Sequence, residues 1–288
     1  MPELLERLRS RRPTLRAGLL CLAGILFIAI LATLLHRGGQ APTQSKSVVK
    51  NMSEKPLLVS REQMDRLRYT DSVLGELRWD LSDGALKELN QALSDYGIAT
   101  PEDISQFLAQ AAVESLAGSA LTEWGDAEYF QGRGYSAGTR GAGYLHLTYA
   151  YGQMAFSVWL MRKYVPELSD LAYVNPSRHS REEIADSYYT ALQTAANRGL
   201  DVSRYSRVVY DRRDPAETGY TTGADYIAEV FAWESAAYFW HIAGVSEAFL
   251  NIPCSLNTDI ASDIVGGSNW QSRREAYAAY YPVLAEQP

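Results

Sequence analysis

Two glutamates nine residues apart, Glu114 and Glu123, are the side chains of this chain best suited to acid–base chemistry. On a helical wheel Glu114 falls about 20° from Phe107, so its carboxyl would project beside an apolar stripe. Partial desolvation there would raise its pKa and keep it protonated as a general acid. Two carboxylates in different surroundings, with a glycine-rich wall beyond them, are what acid–base cleavage of a glycosidic bond requires.

The helix that carries Glu114 decides whether the two carboxylates can meet. Thr100 and Pro101 are an N-cap and a first helical residue, and an apolar stripe follows them. If this helix continued, Glu123 would lie ~13.5 Å further along the axis, on the opposite face. Gly118 offers a stop instead. A turn at Leu116–Ala120 would then fold Glu123 back over the Glu114 face.

Helical periodicity dominates the rest of the chain from about residue 74 onward, which predicts a mainly α domain. The further predicted helices are Asp83–Tyr96, Ala150–Tyr164, Arg181–Arg198, Thr222–Ala243 and Ser272–Leu284. Strand signals are weak, and the best candidate is a short hairpin near Glu128–Leu147.

The N-terminal part contains an uncharged run at residues 17–35, close to the ~20 residues that cross a bilayer. Arginines precede it, so the positive-inside rule puts the N-terminus in the cytoplasm and the bulk outside. We predict a cytoplasmic basic tail at 1–16, one transmembrane anchor at 17–35, a flexible polar tether at 36–73 and a catalytic domain at 74–288. The charged segment Leu57–Val73 is either part of this tether or a short helix. A cleaved signal peptide, a lipoprotein and a buried core helix are the alternatives for the apolar run.

Composition argues against a nucleic-acid partner, an intramolecular disulfide and a bound metal. The net charge of −7 argues against a nucleic-acid partner, which usually requires a basic face. The two cysteines, Cys21 and Cys254, are too isolated to predict an intramolecular disulfide. The four histidines are scattered, so we expect no metal and no cofactor.

Several motifs resemble those of the family 19 glycoside hydrolases, the chitinases and related phage endolysins of the lysozyme-like superfamily. That family has a YGI-x-TP helix start, then FLAQ-x-x-HES, a second glutamate, GRGYIQLT, an SA-x-x-W-W helix and an INGG-x-NG-x-x-x-RR-x-x-Y ending. The matching segments here, in the same order, are 96–101, 107–110 with 113–115, 121–123, 141–148, 234–240 and 264–277.

The resemblance implies a two-lobed, lysozyme-like helical domain. Such a domain would hydrolyse β-1,4 links between N-acetylated sugars with inversion at the anomeric carbon. Glu114 would be the general acid and Glu123 the general base, and Thr148 would help to position the attacking water. Tyr135 would line the cleft. The residues that we expect to contact the polysaccharide are Tyr129, Tyr144, His146, Trp240 and Asn269.

Four departures from the family pattern put the substrate in question: Val113, Ala142, His146 and Val265 replace its histidine, arginine, glutamine and asparagine. We expect peptidoglycan rather than chitin, because a membrane tether would hold the domain near a cell wall. Two alternatives stay open. One is a non-catalytic glycan-binding scaffold that retains the fold, and the other is a phage-type endolysin exported by its own anchor.

Overall fold

The computed structural model describes residues 59–213, 219–248 and 254–286. These residues form a mainly helical domain, as the sequence predicts, and all of them lie within one compact unit, Lys55–Pro288. Among these residues no helix is both long and apolar enough to cross a membrane. The predicted anchor at 17–35 and the basic tail at 1–16 lie outside the described residues.

The domain begins with a short helix and a two-stranded antiparallel sheet, and helices follow. The elements are α1 Arg61–Arg66, β1 Arg68–Asp71, β2 Gly75–Arg78, α2 Asp83–Asp95, α3 Pro101–Ser115, α4 Ala127–Gly132, α5 Ala150–Tyr164, α6 Arg181–Asn197, α7 Ser203–Ser206, α8 Ala224–Val230, α9 Ala232–Ile242, α10 Val245–Ala248, α11 Cys254–Val265 and α12 Trp270–Leu284. Two short 3-10 turns, Ala137–Thr139 and Pro166–Leu168, join neighbouring helices.

Helix α3 runs through the centre of the domain and carries Glu114 in its last turn. It begins as predicted, because the Thr100 side chain accepts a hydrogen bond from the backbone of Asp103 and Pro101 follows the cap. Nearly all of its side chains are buried, and α12 and α11 pack along it. Phe107, which is fully buried, packs against Trp233 and Trp240 of α9. Helix α3 is therefore held on several sides, which fixes the position of its C-terminal end.

The boundary between tether and domain differs from the expectation. The sequence analysis places residues 36–73 in the tether, but the described part of that range, from Val59 onward, belongs to the domain. Met64, Leu67 and Tyr69 are buried in the main core. The amide of Asn90 binds both backbone groups of Val59, at 2.7 and 2.9 Å, and so fixes the entry to α1. The high charge of this segment hid these apolar contacts, because its charged side chains lie on the outer side of α1 and β1.

The hairpin expected near Glu128–Leu147 is not a pair of strands. Asp126 caps the short helix α4 by accepting from the backbone of Tyr129, and only isolated bridges occur further on, between Thr122 and Ala142 and between Ala142 and Leu147. The hairpin of the described residues is instead β1–β2, whose turn is closed by backbone hydrogen bonds to the Asp71 carboxylate.

The long helix predicted at Thr222–Ala243 is interrupted. The backbone leaves the helical conformation at Phe231, which separates α8 from α9 and directs its ring toward Phe156 and Tyr226. A second hydrophobic cluster, made mainly by α5 and α6, lies beside the main core and includes Val158, Met161 and Ile184.

Candidate active site

The chain reverses direction after α3 through a turn of left-handed residues. Leu116, Ala117 and Gly118 have φ values of 52°, 54° and 88°. The backbone of Ala117 donates to the carbonyl of Ala112, and that of Ala120 donates to the carbonyl of Ser115, both at 2.8 Å. This is the turn expected at Leu116–Ala120. Non-glycine residues in this conformation are strained, so the surrounding hydrogen bonds must hold them there.

A short backbone pairing then places Glu123 opposite the glycine-rich segment. The N–H of Glu123 donates to the carbonyl of Gly141 at 2.8 Å, and that of Gly143 donates to Leu121 at 2.9 Å. Gly143 has a φ of 77°, and a Cβ there would lie 2.2 Å from Oγ of Ser235. Glycine is therefore needed at 143 for this wall to pack on α9.

Glu114 lies between two nitrogen-bearing side chains, and its own side chain is 20% exposed. Oε1 accepts a short hydrogen bond from Nη2 of Arg273 in α12. Oε2 lies 3.7 Å from Nδ1 of His146. The carboxyl is thus oriented from one side by a guanidinium and faces an imidazole on the other.

Arg273 is 2% exposed and uses each part of its guanidinium. Besides Glu114 it donates to the side-chain oxygen of Gln110 and to the carbonyl of Ser268. A Cβ at Gly267 would lie 1.8 Å from Nη2 of Arg273, so the absence of a side chain at 267 lets the guanidinium reach Glu114. A buried charge is tolerated when it is paired and hydrogen-bonded, and Arg273 is paired with Glu114 and donates from all three of its nitrogens.

Glu123 accepts hydrogen bonds from two tyrosines and from the backbone. The Tyr135 hydroxyl lies 2.7 Å from both carboxylate oxygens, Tyr129 donates at 3.0 Å and the N–H of Gly141 donates at 3.3 Å. Burial by itself would raise the pKa of Glu123, but these hydrogen bonds and the nearby Arg133 outweigh it, so the pKa is lowered. Glu123 is therefore held ionised, as a general base must be.

Thr148 lies next to His146 and orders the loop that carries it. Oγ1 of Thr148 donates to the carbonyl of His146 at 2.6 Å, which leaves the hydroxyl oxygen free to accept. His146 itself has a φ of 52°. The loop between Ala142 and Leu147 is closed by two backbone hydrogen bonds, at 3.2 and 2.8 Å.

One cleft of about 400 Å³ contains both glutamates. The end of α11 contributes Val265 to the lining, and the next residue, Gly266, also lines it. The residues that line the cleft from the glycine-rich side are Arg133, Tyr135, Leu145, His146, Thr148 and Tyr149. The structure thus brings together Glu114, Glu123, Thr148 and His146, which the sequence analysis selected. Tyr129 joins them through its hydrogen bond to Glu123.

Three of the expected substrate-binding residues neither line this cleft nor hydrogen-bond to its two glutamates. Tyr144 is 4% exposed and stacks on Trp233 with ring centroids 3.4 Å apart, so it belongs to the core. Trp240 is fully buried and donates to Asp103 and Ser246. Asn269 is exposed at the start of α12, where it adopts a left-handed conformation with a φ of 63°. Aromatic residues serve cores and sugar sites alike, and helical spacing alone does not separate the two roles.

Arg273, Arg133 and Tyr149 have places at the site that the sequence analysis did not give them. The signal for Arg273 was its position on the inner face of a C-terminal helix, since a buried arginine requires an acidic or carbonyl partner. Within the described part of the chain, no three His, Cys, Asp or Glu side chains converge to hold a metal ion.

Comparison of the chain with protein-family models, with curated proteins and with solved structures found no match.

Proposed function

We propose that this protein is a glycosidase that hydrolyses β-1,4 links between N-acetylated sugars by inversion. The observation that carries the proposal is the shared cleft, in which Glu114 and Glu123 occupy different surroundings. Glu123 has a lowered pKa and several hydrogen-bond donors, whereas Glu114 faces the imidazole of His146. The lowered pKa of Glu123 supports its role as the base, and Glu114 is the second carboxyl of the cleft, available for the role of the acid.

In the proposed reaction Glu114 protonates the leaving glycosidic oxygen while the bond from that oxygen to the anomeric carbon breaks. Glu123 takes a proton from a water that attacks the opposite face of the sugar. Thr148, whose hydroxyl oxygen is free to accept, orients that water. Arg273 holds the Glu114 carboxyl in place from behind. The motifs shared with the family 19 glycoside hydrolases, and the lysozyme-like fold they imply, support this assignment.

Peptidoglycan is the substrate that we favour over chitin. The apolar run at 17–35, with arginines before it, supports a membrane anchor that leaves the domain outside the cytoplasm. A domain so placed would lie near a cell wall. The proposed location and the proposed substrate depend on each other, and neither depends on a cofactor.

Digestion of purified peptidoglycan, and separately of chitin oligomers, tests the proposal. The 288-residue chain in detergent is compared with Glu114→Gln and Glu123→Gln, and product mass and anomeric form are measured. Glu128→Gln is the matched control, because Glu128 is exposed and lies outside the cleft. We expect inverted-anomer products from the parent chain and the control only.

Absence of products from both polymers, with binding retained, would contradict the proposal and favour the glycan-binding scaffold. In that case Val265, which lines the cleft where the resembling family has an asparagine, would be part of a site that binds without cleaving. Products released by a chain that leaves the membrane fraction would favour the exported endolysin.

A further inference from the structure

The position of His146 beside Glu114 has a consequence for the proton that the proposed reaction needs. Nε2 of His146 lies 3.4 Å from the carbonyl oxygen of Ala120. A carbonyl oxygen only accepts hydrogen bonds, so Nε2 must carry the hydrogen. In the neutral ring Nδ1 is then unprotonated, and it lies 3.7 Å from Oε2 of Glu114.

An unprotonated ring nitrogen and an ionised carboxylate oxygen repel each other at short range, and a proton held between them removes the repulsion. The proton can reside on Oε2 of Glu114, which then donates to Nδ1, or on Nδ1, which then donates to the carboxylate. Catalytic hydrogen bonds are often long before the substrate binds and shorten in the complex. A separation of 3.7 Å is therefore short enough for the two groups to act as a pair when a substrate binds.

The backbone at His146 indicates that this placement is imposed by its surroundings. Its φ of 52° is in the left-handed region, which costs a non-glycine residue about 1 kcal/mol. Its carbonyl accepts from Thr148, its N–H donates to Gly143, and a Cβ at Gly141 would lie 2.8 Å from the Cβ of His146. Strain that the neighbours maintain at a cleft is characteristic of functional positions.

We propose that His146 and Glu114 share one proton and together form the proton donor of the cleft, with His146 as the positioning residue and Glu114 as the group that touches the substrate. The role in cleavage rests on the proposed function, whereas the sharing of the proton does not. When Glu114 gives the proton to the leaving oxygen, the carboxylate and a neutral imidazole remain. The proton that Glu123 removes from water returns to the pair through solvent, so each turnover consumes one water.

Other charged and titratable groups share the cleft and contribute to the same titration. Glu123, Arg133, Tyr135 and Tyr149 line it with His146, and Arg273 lies behind Glu114. The steps of a titration curve would therefore belong to a coupled set of groups. Comparison of variants is required to isolate the contribution of Glu114 and His146.

Titration of the histidine ring protons by NMR tests the sharing without any activity. In the 288-residue chain, the midpoint for His146 should fall by ~1 pH unit in Glu114→Gln, because the imidazolium loses its carboxylate partner. Glu128→Gln is the control and should leave it unchanged. An unchanged midpoint in Glu114→Gln would overturn the proposal, and it would do so whether or not the chain cleaves glycans.

The pH–rate profile tests the role in cleavage. His146→Asn keeps a residue type that tolerates the left-handed backbone and removes the titrating ring. We expect its alkaline limb to move ~1 unit to lower pH, because Glu114 no longer shares its proton, while the acid limb stays in place. His146→Gln should reproduce this shift, and His241→Gln, which changes an exposed histidine outside the cleft, should not. A uniform loss of rate with both limbs fixed would show a purely structural role and overturn the proposal.

Discussion

The guanidinium of Arg273 donates a hydrogen bond to the carboxylate of Glu114 although 159 residues separate them along the chain. This contact joins α3 to α12 at the end of the cleft, and it depends on the space that Gly267 leaves open. One contact therefore links the proposed acid, the packing of two helices and a single glycine, and each of these can be altered separately.

Gly267→Ala should displace Arg273 from Glu114, because the added Cβ would lie 1.8 Å from Nη2. We expect kcat to fall by about 10–100-fold, the size of effect that a misplaced catalytic group produces. The matched control is Gly132→Ala, where a Cβ would meet no atom within 4 Å. Equal kcat values for the two variants, measured on the polymer that the parent chain cleaves, would show that the Arg273 contact does not orient Glu114.

Tyr135→Phe should move the acid limb of kcat/KM to higher pH. The pKa of Glu123 is lowered because the hydrogen bonds, with that of Tyr135 first among them, outweigh the effect of burial. Loss of the hydroxyl raises this pKa toward the usual carboxyl value, so the base becomes protonated at a higher pH than in the parent chain. Tyr189→Phe, at a 60% exposed position, is the control. A limb that stays in place in Tyr135→Phe would contradict the assignment of Glu123 as the base.

Substitution of Tyr144 should mainly reduce stability, whereas substitution of Tyr129 should mainly reduce activity. Tyr144→Ala removes a ring that is 4% exposed and stacked on Trp233, so we expect a loss of about 3–5 kcal/mol in the free energy of unfolding. Tyr129→Ala, at a 38% exposed position, should cost under about 1 kcal/mol but reduce kcat/KM, since it removes a donor to Glu123. Urea denaturation and initial rates measure the two effects, and the reverse pattern would return Tyr144 to the cleft.

Asp103→Asn should change how stability depends on pH. Burial raises the pKa of Asp103 to about 6, although Ser246 and Trp240 donate to it. Between the unfolded value near ~4 and this value the folded chain binds more protons, so the stability of the parent chain falls as pH rises through that window. Asp103→Asn should lose this slope, worth about 2–3 kcal/mol in total.

Urea denaturation of the parent chain and of Asp103→Asn between pH 4 and 7 gives the two slopes, and exposed Asp65→Asn is the control. Parallel curves for the parent chain and Asp103→Asn would show that the pKa of Asp103 is the same in the folded and unfolded states, and would contradict the prediction. The test concerns the N-terminal turn of α3 and is independent of the proposed function.

Local features of the sequence predicted most of the helices. The bounds of α5 were predicted at both ends, and the cap at Thr100 and the stop near Gly118 located α3 correctly. These features depend on side-chain to backbone hydrogen bonds within a few residues, so the sequence contains them directly. The interruption at Phe231 depends on where its ring packs in the tertiary structure, and periodicity alone does not register it.

The part of the candidate site that depends on local features was predicted, and the part that depends on tertiary contacts was not. Glu114 and Glu123 were found because their spacing and the turn between them are local. Arg273 had no assigned role, because its contact with Glu114 joins distant segments. Tyr144 and Trp240 were placed at the substrate, but a buried aromatic and a sugar-stacking aromatic follow the same pattern in a single sequence.

The long separation between Glu114 and Arg273 also orders events during synthesis. A chain is made from its N-terminus, so the two glutamates leave the ribosome well before Arg273, which follows Glu114 by 159 residues. Until α12 docks, the carboxyl of Glu114 lacks the guanidinium that orients it and Gln110 lacks its donor. The cleft is therefore completed late in synthesis, and a nascent chain carries Glu114 and Glu123 before the contact that orients Glu114 can form.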